Sequence, residues 1–182
     1  AGFIGNAVAL RLVADGHEVV VLDNCNDYYD VALKEARLAR LPNSVTVVRE
    51  SAGNVAALRE LFAAYKFDAV CHLAAQAGVR YSLEAPEKYI ESNYVDTFRL
   101  LEVMREFGVK KLVFASSSSV YGEADDVPFV ETAPADRAVS VYAATKRAGE
   151  VLVHTYHYLY NFEVTTLRFF TVYGPWGRPD MA

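Results

Sequence analysis

Tyr142 and Lys146 stand four residues apart in Tyr142-Ala143-Ala144-Thr145-Lys146, and a serine run, Ser116-Ser117-Ser118-Ser119, precedes them. On a helix this spacing puts both side chains on one face, where a hydroxyl and an ammonium can address one reaction centre. A phenol with a reference pKa near ~10 is a poor base at neutral pH; a cation beside it stabilises the phenolate and makes it useful. Serine hydroxyls at the end of a preceding strand could relay the proton between a substrate hydroxyl and that phenolate. Helices often carry Tyr and Lys four apart, so the spacing gains weight only from what lies upstream.

Upstream, Gly2-Phe3-Ile4-Gly5 reads as the tail of a glycine-rich phosphate loop, whose backbone N–H groups at a helix start approach a pyrophosphate. The competing reading is a tight turn. Asp23 shifts that balance, because it ends the next strand about 20 residues beyond the glycines, where a carboxylate can accept both hydroxyls of an adenosine ribose. The same charge repels a 2′-phosphate and so favours NAD over NADP. A solvated strand-end aspartate is the plainer alternative. Leu73-Ala74-Ala75-Gln76-Ala77-Gly78 follows a strand with small residues that let a cofactor lie close to backbone, or that simply pack a compact loop.

These groups need an alternating scaffold. Helix signals cover about 4–14, strand signals 18–22, and a helix begun near Tyr29 runs to Leu41, closed by Pro42-Asn43. Residues 45–48 form the next strand, and Asn54 caps a helix carrying Ala57, Leu58, Leu61 and Phe62. A strand over 68–73 leads to a long helix over 89–107 with Gly108 as its stop. Strand 111–115, helix 140–160 and strand 164–169 complete the series. Short β-branched runs alternating with helices predict an α/β fold, a three-layer Rossmann-like domain with a mostly parallel sheet. The chain opens inside a strand-to-helix turn and stops after a proline-rich segment, as an internal piece truncated at both ends would.

Composition fits a globular protein: 53% hydrophobic, 23% charged, net charge −5 over 182 residues. Scattered lysines and arginines offer no nucleic-acid surface, and no apolar stretch approaches the ~20 residues that span a bilayer. Cys25 and Cys71 lack metal-ligand spacing and read as buried free thiols of a reducing, cytoplasmic compartment. His72 reads as a packed or hydrogen-bonded strand residue. His154 and His157 lie three apart without a third ligand, so no metal is expected.

Taken in order, Gly2-Phe3-Ile4-Gly5, Asp23-Asn24, His72-Leu73-Ala74-Ala75, Asn93, Ser116 to Gly122 and Tyr142-x-x-x-Lys146 resemble the extended short-chain dehydrogenase/reductase family, in its nucleotide-sugar epimerase and dehydratase group. The resemblance covers essentially the whole chain but only the cofactor-binding part of such enzymes. Within the group the chain is most similar to UDP-glucuronate 4-epimerases, through 22–30, 74–82 and Arg168 to Met181. Family dehydratases carry an Asp-Glu pair after the catalytic hydroxyl; Ser118-Ser119 stand there instead, and the glutamate of related decarboxylases is absent too. Galactose-type epimerases usually have Asn at the place of Thr171.

The resemblance implies a partial NAD-binding domain over 1–173 and the beginning of a substrate-binding region over 174–182. It implies Ser117, Tyr142 and Lys146 as catalytic residues. Gly2, Phe3, Ile4 and Gly5 would meet the pyrophosphate, Asp23 and Asn24 the adenosine ribose, and Ser51 and Ala52 the adenine. Leu73, Ala74, Ala75 and Ser116 would line the dinucleotide, Lys146 would bond the nicotinamide ribose, and Phe169 would pass the nicotinamide. Ser117, Ser118, Ser119, Tyr142, Thr171 and Arg178 would face a UDP-sugar, with UDP-glucuronate preferred, and the intact protein would be a homodimer. A UDP-hexose 4-epimerase and a non-catalytic NAD-binding interaction module are the alternatives. Two positions depart from the family pattern: Ser51 replaces an adenine-binding Asp, and Asp96 replaces a helix Gly.

Overall fold

In this computed structural model, whose described residues are 1–123 and 128–179, five strands alternate with α-helices in a Rossmann-like α/β arrangement. The Asp180-Met181 end of the resemblance lies outside the described residues. Strand β1 (Val20–Leu22) pairs with β2 (Thr46–Val48); β4 (Lys111–Ser117) lies between β3 (Ala69–His72) and β5 (Glu163–Phe169). Every pairing among the described residues is parallel. The strands thus form two ladders rather than one continuous sheet.

Helix boundaries follow local chemistry. Asp30 caps α2 (Val31–Leu38), Asn54 caps α3 (Val55–Ala64) and Ser140 caps α6 (Val141–Tyr160), accepting from Ala32 N at 2.8 Å, Ala57 N at 3.2 Å and Ala143 N at 3.0 Å. Each such cap contributes about 1 kcal/mol by satisfying an orphan N–H. Gly2 caps α1 (Phe3–Ala14) without a side-chain bond, leaving its first-turn N–H groups free of side-chain acceptors at the cap.

The expected single helix over 89–107 is instead three segments: α4 (Pro86–Ile90), a π turn (Glu91–Val95) and α5 (Asp96–Glu106). The wider π turn carries Asn93, 1% exposed, inward to partners on two other elements. Gly108, at φ +73°, ends the run as anticipated.

Ladder register and strand alternation put Val70, Leu112 and Val164 on one face, and Cys71, Val113 and Thr165 on the other. The first face carries the main core, where Leu58 and Phe62 of α3, Leu101 and Met104 of α5, Phe114 of β4 and Val153 of α6 meet. Burying each large side chain there contributes about 1.5–3 kcal/mol. A Cβ on Gly149 would sit 2.5 Å from Phe114 Cζ, so α6 approaches β4 at a distance only glycine permits. The anticipated burial of both thiols is corrected: both are free, but Cys25 is half-buried and Cys71 exposed, because Cys71 faces away from the helical core. Among the described residues no helix is long and apolar enough to cross a membrane.

Candidate active site

The carboxyl end of β4 and the first turns of α6 form a network of side chains. Tyr142 is half-buried, its ring edge-on to Tyr89 at 6.1 Å between centroids. Lys146 lies one turn further on α6, 3% exposed, with Nζ 5.2 Å from the centre of the Phe114 ring. Burial pushes its ammonium down to about 8, an effect partly offset by the Glu150 carboxylate a turn beyond. A cation held with so little water responds strongly to a nearby phenolate.

Glu150, which sequence reasoning missed, anchors this end. Its Oε1 accepts from Ser116 Oγ at 2.5 Å and Arg168 Nε at 2.9 Å, while Oε2 accepts from Arg168 Nη2 at 2.9 Å and Arg147 Nη1 at 2.7 Å. Burial pushes its carboxyl up, but the bonds from Arg168, Ser116 and Arg147 outweigh this and hold it below its ordinary value. The only signal in the chain is the four-residue step from Lys146, which continues the Tyr142 face. Ser116 therefore serves this clamp. Ser117, on the opposite strand face by alternation, is buried and accepts from Ser119 N at 3.2 Å. Ser118 and Ser119 begin the 3₁₀ turn that follows, half-buried. Ladder register sets Phe169 directly beside Ser117.

The loop after β3 is fixed from behind. Asn93 Oδ1 accepts from Gln76 N at 2.7 Å, and its Nδ2 donates to Gln76 O at 3.0 Å and Thr145 Oγ1 at 3.1 Å. One carboxamide thus ties the Leu73-Ala74-Ala75 loop to the helix bearing Tyr142. His72 is buried with Nε2 3.0 Å from Thr97 Oγ1. The Thr97 hydroxyl donates to Asn93 O at 2.8 Å, so Nε2–H is the donor to Thr97. Burial, with the Lys146 charge, lowers the imidazole to about 3, which makes His72 a neutral structural group as the sequence suggested.

The cofactor-type residues gather at the neighbouring edge. Gly5 faces Leu73 Cδ1 at 4.0 Å from an added Cβ, and nothing lies within 4 Å of one on Gly2. Asp23 follows β1; its Oδ1 accepts from Cys25 N at 2.8 Å. Asn24 is exposed and lines, with Ser51, Gln76, Tyr81, Lys88 and Asp96, a cleft of about 590 Å³. Ala52 follows Ser51, half-buried.

Arg178 is half-buried beyond β5, and its charge acts on the phenols of Tyr29 and Tyr89. Burial raises Tyr89 to about 12 despite Arg178 and the nearby Gln76 side chain. Tyr89 donates to Ala77 O at 2.9 Å and Gly78 O at 2.6 Å, so one tyrosine joins the Tyr142 ring, the β3 loop and the Arg178 field. Thr171, by contrast, is exposed two residues past β5 and is not drawn into this group. A second residue missed from sequence is Arg37, fully buried, which donates to Trp176 O at 2.7 Å, Gly177 O at 3.2 Å and Tyr29 Oη at 2.6 Å. It fastens the segment before Arg178 to α2; an arginine at a helical position gives no sign of this in sequence.

A glycine-opened helix start, a strand-end carboxylate and a buried lysine one turn from a tyrosine are set on a Rossmann-like α/β fold. The chain belongs to the NAD dependent epimerase/dehydratase family, whose model matches residues 1–182. It is 52% identical over 184 residues to UDP-glucuronate 4-epimerase 3 of Arabidopsis thaliana, covering all of this chain and 43% of that protein. Among solved structures it resembles a Bacillus cereus UDP-glucuronic acid 4-epimerase in complex with UDP-glucuronic acid and NAD, with TM-score 0.91 and 34% identity over 100% of this chain and 57% of that one. It also resembles the UDP-glucose 4-epimerase of Thermus thermophilus in complex with NAD, with TM-score 0.87 and 34% identity, covering 100% and 56%. The chain thus spans about half the length of the relatives it matches.

Proposed function

We propose that the protein carrying this chain is an NAD-dependent 4-epimerase of a UDP-hexose. The observation that carries this reading is Lys146, buried one helical turn from Tyr142 beside the serine-rich end of β4. Binding a dinucleotide alone requires no such proton-transfer set, which weighs against a non-catalytic module.

The residues present fit NAD. Free N–H groups at the start of α1 suit a pyrophosphate, and the Gly2 to Gly5 turn leaves room for its approach. Asp23 and Asn24 suit the adenosine ribose, Ser51 and Ala52 the adenine, and Leu73, Ala74 and Ala75 the dinucleotide backbone. Lys146 suits the nicotinamide ribose and Phe169 the nicotinamide. NAD, when bound, supplies reversible oxidation at sugar C4, taking hydride from one face and returning it to the other. Tyr142 removes the O4 proton and later returns it, with Ser117 in the relay. Lys146 stabilises the phenolate before that proton is taken and after it is returned. The 4-keto sugar turns about its bond to the diphosphate, and the returned proton completes the inverted alcohol.

The finer reading is that the hexose carries a C6 carboxylate, making the reaction UDP-glucuronate to UDP-galacturonate. The UDP-glucuronate 4-epimerase relative and the half-buried Arg178 beside Tyr89 support it. Ser118 and Ser119 add hydroxyl donors without supplying an acid for dehydration. A neutral hexose is the second reading, supported by the likeness to a UDP-glucose 4-epimerase. Incubating the full-length protein separately with UDP-glucuronate and UDP-glucose, then resolving products by NMR, tests both. Conversion of glucose alone rejects the uronate reading; a dehydrated or decarboxylated main product rejects 4-epimerisation.

In the same proposal, 1–173 is the NAD-binding domain and 174–182 begins the substrate-binding region, with Arg37 as the anchor of that junction. Exposed Ile90, Tyr94 and Phe98, four apart, and Val151, Tyr158 and Leu159 of α6 support a homodimer, testable by light scattering of the full-length protein. Free thiols favour a reducing, cytoplasmic setting.

A further inference from the structure

The two departures from the family pattern meet in space. Ser51 Oγ lies 3.4 Å from Asp96 Oδ2, although the residues are 45 positions apart, and both line the cleft beside Asn24. The Asp96 side chain is 10% exposed, with Oδ1 held by Arg99 Nη1 at 3.0 Å. Among the described residues its Oδ2 makes only the long contact to Ser51, so acceptor capacity is left over. Gly53 makes the placement possible: a Cβ there would lie 1.8 Å from Asp96 Oδ1. On another wall of the cleft, Gln76 is 5% exposed and its Nε2 is buried without a hydrogen-bond partner. A buried amide donor in that condition is costly unless a ligand completes it.

The cleft therefore offers strong acceptors on one wall and an uncommitted donor on another. A base with an exocyclic amine next to ring-nitrogen acceptors complements that pattern; one with a carbonyl in place of the amine opposes it. We infer that the Asp96 carboxylate, positioned by Gly53 and Ser51, reads the 6-amino group of the adenine in the bound dinucleotide. The inference rests on the NAD reading above. A carboxylate accepting from an amine discriminates against an analogue that presents an oxygen there, since two acceptors then face each other.

Calorimetric titration of nucleotide-stripped, full-length protein with NAD and with nicotinamide hypoxanthine dinucleotide tests it. The wild type should bind NAD at least about tenfold more tightly. In Asp96→Asn the carboxamide can donate to the 6-oxo group, so the preference should shrink to about twofold or less, with thermal melting reporting that the variant is folded. Equal wild-type affinities overturn the inference, whether or not the variant folds. So does a folded Asp96→Asn protein in which both dinucleotides weaken together and the ratio stays put, the result a structural role predicts. Failure of the folded wild type to bind either dinucleotide overturns the NAD reading itself, and the inference with it.

Discussion

The junction of β4 with α6 and the edge formed by α1, β1 and their loops hold polar groups by different means. At the first, side chains hold side chains: Glu150 is gripped by Ser116, Arg147 and Arg168, and Lys146 is buried beneath them. At the second, the groups offered to a ligand are backbone N–H at a helix start without a side-chain cap and the Asp23 carboxylate at the end of β1. A proton-transfer centre must keep a base and a cation fixed through a reaction. A cradle for a dinucleotide needs close backbone approach more than buried charge. On the proposed function the two regions divide the work accordingly, and changes in them should have separable effects.

The sharpest test of that division is Tyr142→Phe, which removes the hydroxyl and keeps the ring against Tyr89. Turnover of the full-length protein should fall about 10³-fold while dinucleotide affinity and melting temperature stay near wild type. A near-normal rate would remove Tyr142 from proton transfer. Glu150→Ala should act on stability instead, because it leaves Arg168 without its carboxylate inside the junction. A loss of about 3 kcal/mol in urea unfolding is expected. A loss below about 1 kcal/mol would mean the clamp is no firmer than a surface pair.

The opposite edge should respond in binding. Asp23→Ala should weaken NAD about tenfold, on the order of 1.4 kcal/mol, and abolish the preference over NADP, with little change in turnover at saturating cofactor. If turnover drops and affinity does not, the two regions are not separable. The smallest effect concerns His72, between the two. Its imidazole ionises near 3 in the folded chain and near 6.5 when unfolded, so the unfolded state takes up more protons between those values. Stability from this group is complete above pH 6.5 and declines as pH falls, by about 1 kcal/mol from pH 6.5 to 5.5. His72→Gln, which keeps a donor for Thr97, should flatten that part of the pH–stability curve; an unchanged slope would assign it to other groups.

What could be read from the sequence was local. The helix period put Tyr142 and Lys146 on one face, and Asn54 announced its helix because a cap acts within three residues. Short β-branched runs alternating with helices, with Asn54, Pro42-Asn43 and Gly108 as punctuation, gave the α/β order for the same reason. Continuous periodicity over 89–107 could not reveal the π turn, since that break is set by Gln76 and Thr145 bonding Asn93 from 17 and 52 residues away. Arg37, which binds carbonyls 139 and 140 residues further along, looks in sequence like any helical arginine. Ser51 and Asp96 each read as a defect alone. Folding placed them against one another over Gly53, because only the packing of α5 beside the loop after β2 decides which distant side chains share a cleft.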